Sequence, residues 1–282
     1  MIILDAILAT LVYLLVAFFL FFIGKISYQL IHRKINIKEE LVFKDNLAFA
    51  VAHTGYMTGL LIALGGALMG ESHGFLLDAV YMLMYGLLAI VLLNLSVLVN
   101  DKIVLRKFSV YKEICEDQNV GTGVVEGASA IATGLVILGS LYGEGGGIIT
   151  AIIYWVIGQL LLIVTIFVYN WITPYNIHEH IEKDNVAVGI GAAGALIAIG
   201  NLIRYALMHD FESWIITLEN VAIDVAIGLV FLPVARIIAD KILLPGQNLT
   251  DEIINQEKPN IGASIIEAFA YVGGSVLITW SL

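Results

Sequence analysis

Lys44-Asp45-Asn46-Leu47-Ala48-Phe49-Ala50-Val51-Ala52-His53 is the stretch whose reading decides the fold. A charged run ends in an asparagine, and an apolar segment rich in small residues begins at once. The pattern returns at Asp117-Gln118-Asn119-Val120-Gly121, at Lys183-Asp184-Asn185-Val186-Ala187 and at Lys258-Pro259-Asn260-Ile261-Gly262. Asn is a strong N-cap residue because its side-chain oxygen accepts from the orphan N–H groups of a first helical turn. The acidic neighbours Asp45, Asp117, Asp184 and Glu257 suit the positive end of a helix dipole. Asn46, Asn119, Asn185 and Asn260 are therefore expected to be helix caps, and their nearly even recurrence predicts four repeats.

The segments around these caps are long and apolar. The chain is 60% hydrophobic and 13% charged, with a mean hydropathy of +0.93. About 20 apolar residues cross a bilayer as a helix. The sequence predicts eight spans, over residues 3–24, 47–69, 75–99, 120–142, 147–170, 186–208, 213–235 and 261–281. The first carries Asp5, has no Lys or Arg ahead of it and exceeds a signal-peptide core in length, so it is expected to stay as a membrane helix. The single cysteine, Cys115, excludes an internal disulfide, and a net charge of −10 does not suit nucleic-acid binding.

The basic residues predict the orientation. All but one of the 14 Lys and Arg lie in or beside the odd-numbered connections, among them Arg33, Lys34, Lys107 and Lys241. Arg204 is the exception. The positive-inside rule places those connections in the cytoplasm and both termini outside. The third connection reads as amphipathic, with Val104, Phe108, Tyr111 and Cys115 on one helical face.

The repeats pair. Asp101-Lys102-Ile103-Val104-Leu105 matches Asp240-Lys241-Ile242-Leu243-Leu244, and Asn36-Ile37-Lys38-Glu39-Glu40 resembles Asn176-Ile177-His178-Glu179-His180. The expected fold is an all-α membrane protein of eight transmembrane helices. They form four parallel helical-hairpin repeats, paired into two four-helix halves over residues 1–142 and 143–282. An even number of spans per half keeps the halves in one orientation. The even-numbered spans carry small residues at packing distance: Gly55/Gly59, Gly66/Gly70, Gly123/Gly127, Gly191/Ala195 and Ala270/Gly274. They are expected to form an inner bundle with the odd spans outside; the alternative is that these faces join subunits of a homo-oligomer.

Tandem four-helix units, the charged-Asn starts and the run Gly59-Leu60-Leu61-Ile62-Ala63-Leu64-Gly65-Gly66 resemble the YjfL-like bacterial inner-membrane family, built from copies of a domain of unknown function. The resemblance covers essentially the whole chain. It implies a multi-pass protein of the bacterial inner membrane, surrounded by lipid. It further implies a link to membrane maintenance through a cytoplasmic partner such as a PspA-like membrane-stress protein. It supplies no catalytic residues.

Site residues follow from using the asparagines as a ruler. Seven residues beyond each stand His53, Glu126, Ala192 and Glu267, about 10 Å into the helix. Ionisable side chains in a span are costly and mark functional positions. Glu126, Glu267 and His53 are thus a candidate cluster for a proton or small cation; the structural alternative is that they bond neighbouring helices or nearby basic residues. Asp224, near mid-bilayer with Asn220 one turn away, is the next candidate. Arg204 and Glu219 lie at similar depth on adjacent spans and are expected to form a structural ion pair. His178-Glu179-His180, with Glu182 and Asp184, is a weak metal candidate, and no metal site is expected there. Cys115 is expected to be an interfacial apolar residue rather than a reactive one. No Walker loop, HExxH zinc motif or GxSxG elbow is present, so neither an enzyme nor a cofactor is expected. The leading expectation is a small-cation or proton pathway lined by the even spans. The competing one is a membrane scaffold that recruits a soluble partner through its amphipathic connections.

Overall fold

The computed structural model describes residues 2–69, 74–103, 109–142, 147–244 and 246–282; the side chains of residues 2–6 and 101–103 are not described. Asp5, Val104 and Phe108 of the amphipathic pattern, Gly70 and most of the Gly143–Gly147 connection lie outside this description. The secondary structure of the described residues is all helical, with α1 (Ile2–Ile31), α2 (Leu47–Leu68), α3 (Phe75–Ile103), α4 (Val120–Tyr142) and α5 (Gly147–Ile172). A short α6 (Ile177–Glu182) follows, then α7 (Val186–Leu207), α8 (Trp214–Ile238) and α9 (Ile261–Ser281). Among the described residues, eight helices are long and apolar enough to cross a membrane; α6 is a connection.

Four of the eight, α2, α4, α7 and α9, begin at the capping asparagines. They pack in chain order, α2 on α4, α4 on α7 and α7 on α9, and form an open row where an inner bundle ringed by the odd spans was expected. Glycine sets the row. A Cβ on Gly55 would collide with the Cα of Gly127, one on Gly59 with the carbonyl of Ala130, and one on Gly134 with the backbone of Gly59. Gly189 meets Gly121, Gly200 meets Ala132 and Gly194 meets Ala268 in the same way. Contacts advance along both partners together, so the helices are parallel and touch backbone to backbone, as small residues permit in lipid. Glycines with the spacing of a subunit interface are therefore packed inside the chain.

The remaining helices cover one face of the row. α1 and α3 pack on α2, α5 on α4 and α7, and α8 on α7 and α9. Their outer surfaces are apolar and exposed, as at Phe18, Phe22, Phe167 and Ile223, which is the surface that lipid covers. On the other face of the row, Thr54, Thr58, Val124, Ile131 and Ile197 line a shallow groove.

The joint before each row helix is also repeated. Asp45, Gln118 and Asp184 adopt left-handed backbone (φ 50°, 53° and 57°), and the chain turns there into its asparagine. Pro259, whose ring fixes φ negative, holds that place in the fourth joint, and the turn there spans a longer loop.

Candidate functional site

The four asparagines cap as expected. Their side-chain oxygens accept from the N–H groups of Phe49 (3.0 Å), Thr122 (2.8 Å), Val188 (3.1 Å) and Ala263 (3.1 Å). Their amide nitrogens do something the sequence did not reveal. Asn46 donates to the carbonyl of Ile114 (2.8 Å), Asn119 to that of Ile181 (2.8 Å) and Asn185 to that of Ile253 (3.0 Å). Each asparagine therefore clasps the connection of the next hairpin. Asn46 and Asn119 also donate to the buried carboxylates of Glu40 (2.8 Å) and Glu113 (2.9 Å). The Asn260 amide donates to Glu252 (2.7 Å), and Asn260 is exposed. The amphipathic connections fold onto the ends of the row helices, burying Ile114, Cys115, Ile177, Ile181 and Ile253. Burial and the nearby Glu40 carboxylate push the Cys115 thiol up to about 11, so it is an inert apolar residue.

Of the ruler residues, Glu126 and Glu267 do not converge. Glu126 is on α4 and Glu267 on α9, with α7 between them, so at 8–10 Å per helix pair their axes stand roughly 16–20 Å apart. Glu267 is fully buried. It forms an ion pair with Arg236 of α8 and accepts hydrogen bonds from Tyr271 (2.9 Å) and Tyr169 (3.3 Å). Arg236 also donates to Thr250 Oγ1 (3.2 Å), and its guanidinium lies 5.6 Å from the ring centroid of Tyr175. Gly191 makes this packing feasible, since a Cβ there would run into the Tyr169 hydroxyl and the Glu267 carboxylate. A pair held this way is closed to water and to ions. In the sequence Arg236 counts only among the basic residues that mark orientation; applying the repeat register to the odd helices as well would have placed it at this level.

Glu126 sits differently. It is half-buried and lines a cavity of about 400 Å³ among α1, α2, α3, α4 and the third connection, beside Tyr28, Phe49, Tyr56, Val97 and Ala130. The cavity reaches the end of the bilayer that carries the long connections, where Arg33 and Lys34 stand exposed at its rim. His53 is buried next to it, stacked on Phe49 (5.3 Å) and against Tyr28 (4.9 Å). His32 donates from Nδ1 to the Tyr28 carbonyl (3.0 Å), and burial lowers its pKa, which keeps the imidazole neutral.

The other candidates stand apart. Asp224 is half-buried in α8, twelve residues or about 18 Å of helix from Arg236, and Asn220 is exposed. The expected Arg204–Glu219 pair does not form. Arg204 donates to Asn201 Oδ1 (3.1 Å) and to the Met208 sulfur (2.8 Å), while Glu219 is exposed on the outward side of α8. Equal depth put them level, but their helices turn them in different directions. His178, Glu179 and His180 form no metal cluster, and none occurs among the described residues. His180 instead packs edge-on to Tyr175.

A family model described as Domain of Unknown Function (DUF350) matches residues 1–141 and again 144–282. The chain belongs to this family. It is also similar to a UPF0719 transmembrane protein of Aquifex aeolicus (strain VF5), 22% identical over 269 residues, spanning 94% of this chain and 97% of the relative. No solved structure matches. The protein is thus a multi-pass transmembrane member of an uncharacterised family, carrying two tandem copies of its domain.

Proposed function

We propose that this protein moves a small cation or proton across the bacterial inner membrane through a site in its first copy alone. The observation behind this reading is the contrast between two carboxylates at one level of the repeat. Glu126 faces a cavity, whereas Glu267 is sealed by Arg236 and two tyrosines. A carboxylate in a semi-enclosed, low-dielectric site is an effective cation ligand. The second copy serves as a rigid, closed counterpart of the first. With the long connections in the cytoplasm, as their basic residues favour, the cavity opens inward. The function is non-enzymatic. The scaffold alternative has less to support it, because Ile114, Cys115, Ile177, Ile181 and Ile253 of the connections are buried against the chain's own helices.

The test is flux in proteoliposomes carrying the full chain. Glu126→Gln abolishes cation- or proton-dependent flux, and the conservative Glu126→Asp retains part of it. Wild-type flux in Glu126→Gln refutes the reading.

A further inference from the structure

The row repeats one seam three times. Steps two, nine and thirteen beyond the leading asparagine meet steps four, eight and fifteen beyond the following one, as Gly121 meets Gly189, Gly55 meets Gly127 and Gly59 meets Gly134. An odd helix straddles each seam: α3 packs on α2 and α4, α5 on α4 and α7, and α8 on α7 and α9. An asparagine closes each seam, its amide held by a carbonyl of the connection that precedes the following helix.

Half of a fourth seam stands at each end of the row. α9 carries the leading steps at Gly262, Phe269 and Gly273. A Cβ on Gly262 would meet Asn260 Oδ1, and one on Gly273 the Phe269 ring, so neither glycine has another helix against it. α2 carries the following steps at Ala50, Thr54 and Leu61. Phe269, Thr54 and Leu61 are exposed. α1 packs on a single row helix, α2, where its counterparts straddle two. The first connection matches the second through Glu40 and Glu113, each of which accepts from its asparagine. The residues that follow differ in burial. Ile114 and Cys115 are 4% and 2% exposed, packed with Ala48, Phe49 and Ala52 of the preceding hairpin; Leu41 and Val42 are 38% and 66% exposed. Asn260, in the leading position, is exposed as well.

We infer that copies of this chain join end to end, α9 of one against α2 of the next. The two halves are complementary in the register of the internal seams. Gly262 falls opposite Ala50, Phe269 opposite Thr54, and Leu61 opposite Gly273, so each large side chain meets a small one. All copies insert in one orientation, which makes the two helices parallel, as in the internal seams. The next copy's α1 then straddles the new seam, and its Leu41 and Val42 are covered beside Asn260. Lipid alone would cover the apolar faces of α2 and α9, but Leu41 and Val42 lie in a connection, outside the spans. The contact joins two different surfaces, so its repetition gives a closed ring or an open array. Side chains rather than backbones meet here, so the copies separate in detergent micelles while each row stays whole. The inference goes beyond the transport reading and does not depend on it.

Oxidative cross-linking in native membranes tests this, in full chains whose single cysteine is removed by Cys115→Ala. One chain carries Gly273→Cys; a second, co-expressed and separately tagged, carries Leu61→Cys. Copper phenanthroline is expected to link the two chains to each other and neither to its own kind. A chain carrying both substitutions gives a ladder of multimers or one closed ring. Gly273→Leu fills the space that receives Leu61, and its Cβ meets only the Phe269 ring of its own helix, at 3.6 Å. Native mass spectrometry of polymer-extracted nanodiscs is expected to show multimers of the wild type and single chains of Gly273→Leu, with no loss of thermal midpoint in micelles. Wild-type single chains in the nanodiscs, or multimers that survive Gly273→Leu, overturn the inference. So does a link from Gly273→Cys to itself, which places α9 on a two-fold axis, or a link from Leu61→Cys to a different protein only.

Discussion

Replacing Asn119 tests whether the asparagines are more than caps. Asn119 is 3% exposed and makes three side-chain hydrogen bonds, accepting from Thr122 N–H and donating to Glu113 and to the Ile181 carbonyl. In Asn119→Ala, loss of the cap costs about 1 kcal/mol. A buried carbonyl and a buried carboxylate each lose a donor, at about 1–3 kcal/mol apiece. Allowing for partial rescue by water near the membrane edge, the total is about 3–5 kcal/mol. The same change at exposed Asn260 removes a cap and a bond to Glu252 that water replaces, costing about 1 kcal/mol. Asn119→Asp separates the two roles. Asp caps as well as Asn, but it cannot donate and it sets a second carboxylate against Glu113, so it is expected to be at least as damaging as Ala. Denaturant unfolding of the full chain in micelles, followed by tryptophan fluorescence, reads all three variants. A near-neutral Asn119→Asp, or equal losses at Asn119 and Asn260, would refute the clasp.

Further outcomes follow from other parts of the structure. Arg236→Met or Glu267→Gln alone each leaves a buried partner uncompensated and lowers stability by about 3–5 kcal/mol, while Arg236→Met with Glu267→Leu recovers much of the loss; a double variant no better than either single one contradicts a closed structural pair. Gly59→Ala, which drives a Cβ into the Ala130 carbonyl, reduces the thermal midpoint in micelles; Gly65→Ala, whose Cβ meets only Leu138 Cδ1 at 3.5 Å, raises or preserves it through about 1 kcal/mol of helix propensity. Equal midpoints for the two would remove the backbone-contact account of the row. The Cys115 thiol, with its pKa raised from 9.0 to about 11, stays protonated at pH 8. Alkylation by iodoacetamide is then slow until the chain unfolds. Burial of the neutral thiol contributes fully below pH 9, and that contribution is lost as pH rises from 9 to about 11. Rapid native labelling at pH 8 would show the side chain to be accessible.

The spans and caps were legible in the sequence because both are local. Hydropathy over about 20 residues marks a helix that lipid tolerates, and an Asn before an apolar run marks its start. The partners of the asparagine amides, Ile114, Ile181 and Ile253, were not legible, because a carbonyl one hairpin further along carries no side-chain signature. Depth in the membrane was readable by counting, but facing direction was not. Hence Glu126 and Glu267 share a level without meeting, and Arg204 and Glu219 share a depth without pairing. Arg236 escaped notice because a basic residue near a connection reads as a topology marker. Its role is set by Glu267 on a different helix.

The glycine contacts along the row also limit how the protein moves. Backbones that touch with no side chain between them have no slack to slide or twist, so α2, α4, α7 and α9 behave as one beam. α8 is pinned to that beam by Arg236 and Glu267, while the Tyr56 hydroxyl donates to the Gly24 carbonyl of α1 and to Asn94 of α3, and Asn100 of α3 donates to Ser129 of α4. Any opening and closing around Glu126 therefore comes from helices that meet the beam through side chains, and fluorescent labels on α2, α4, α7 and α9 would keep their spacing throughout.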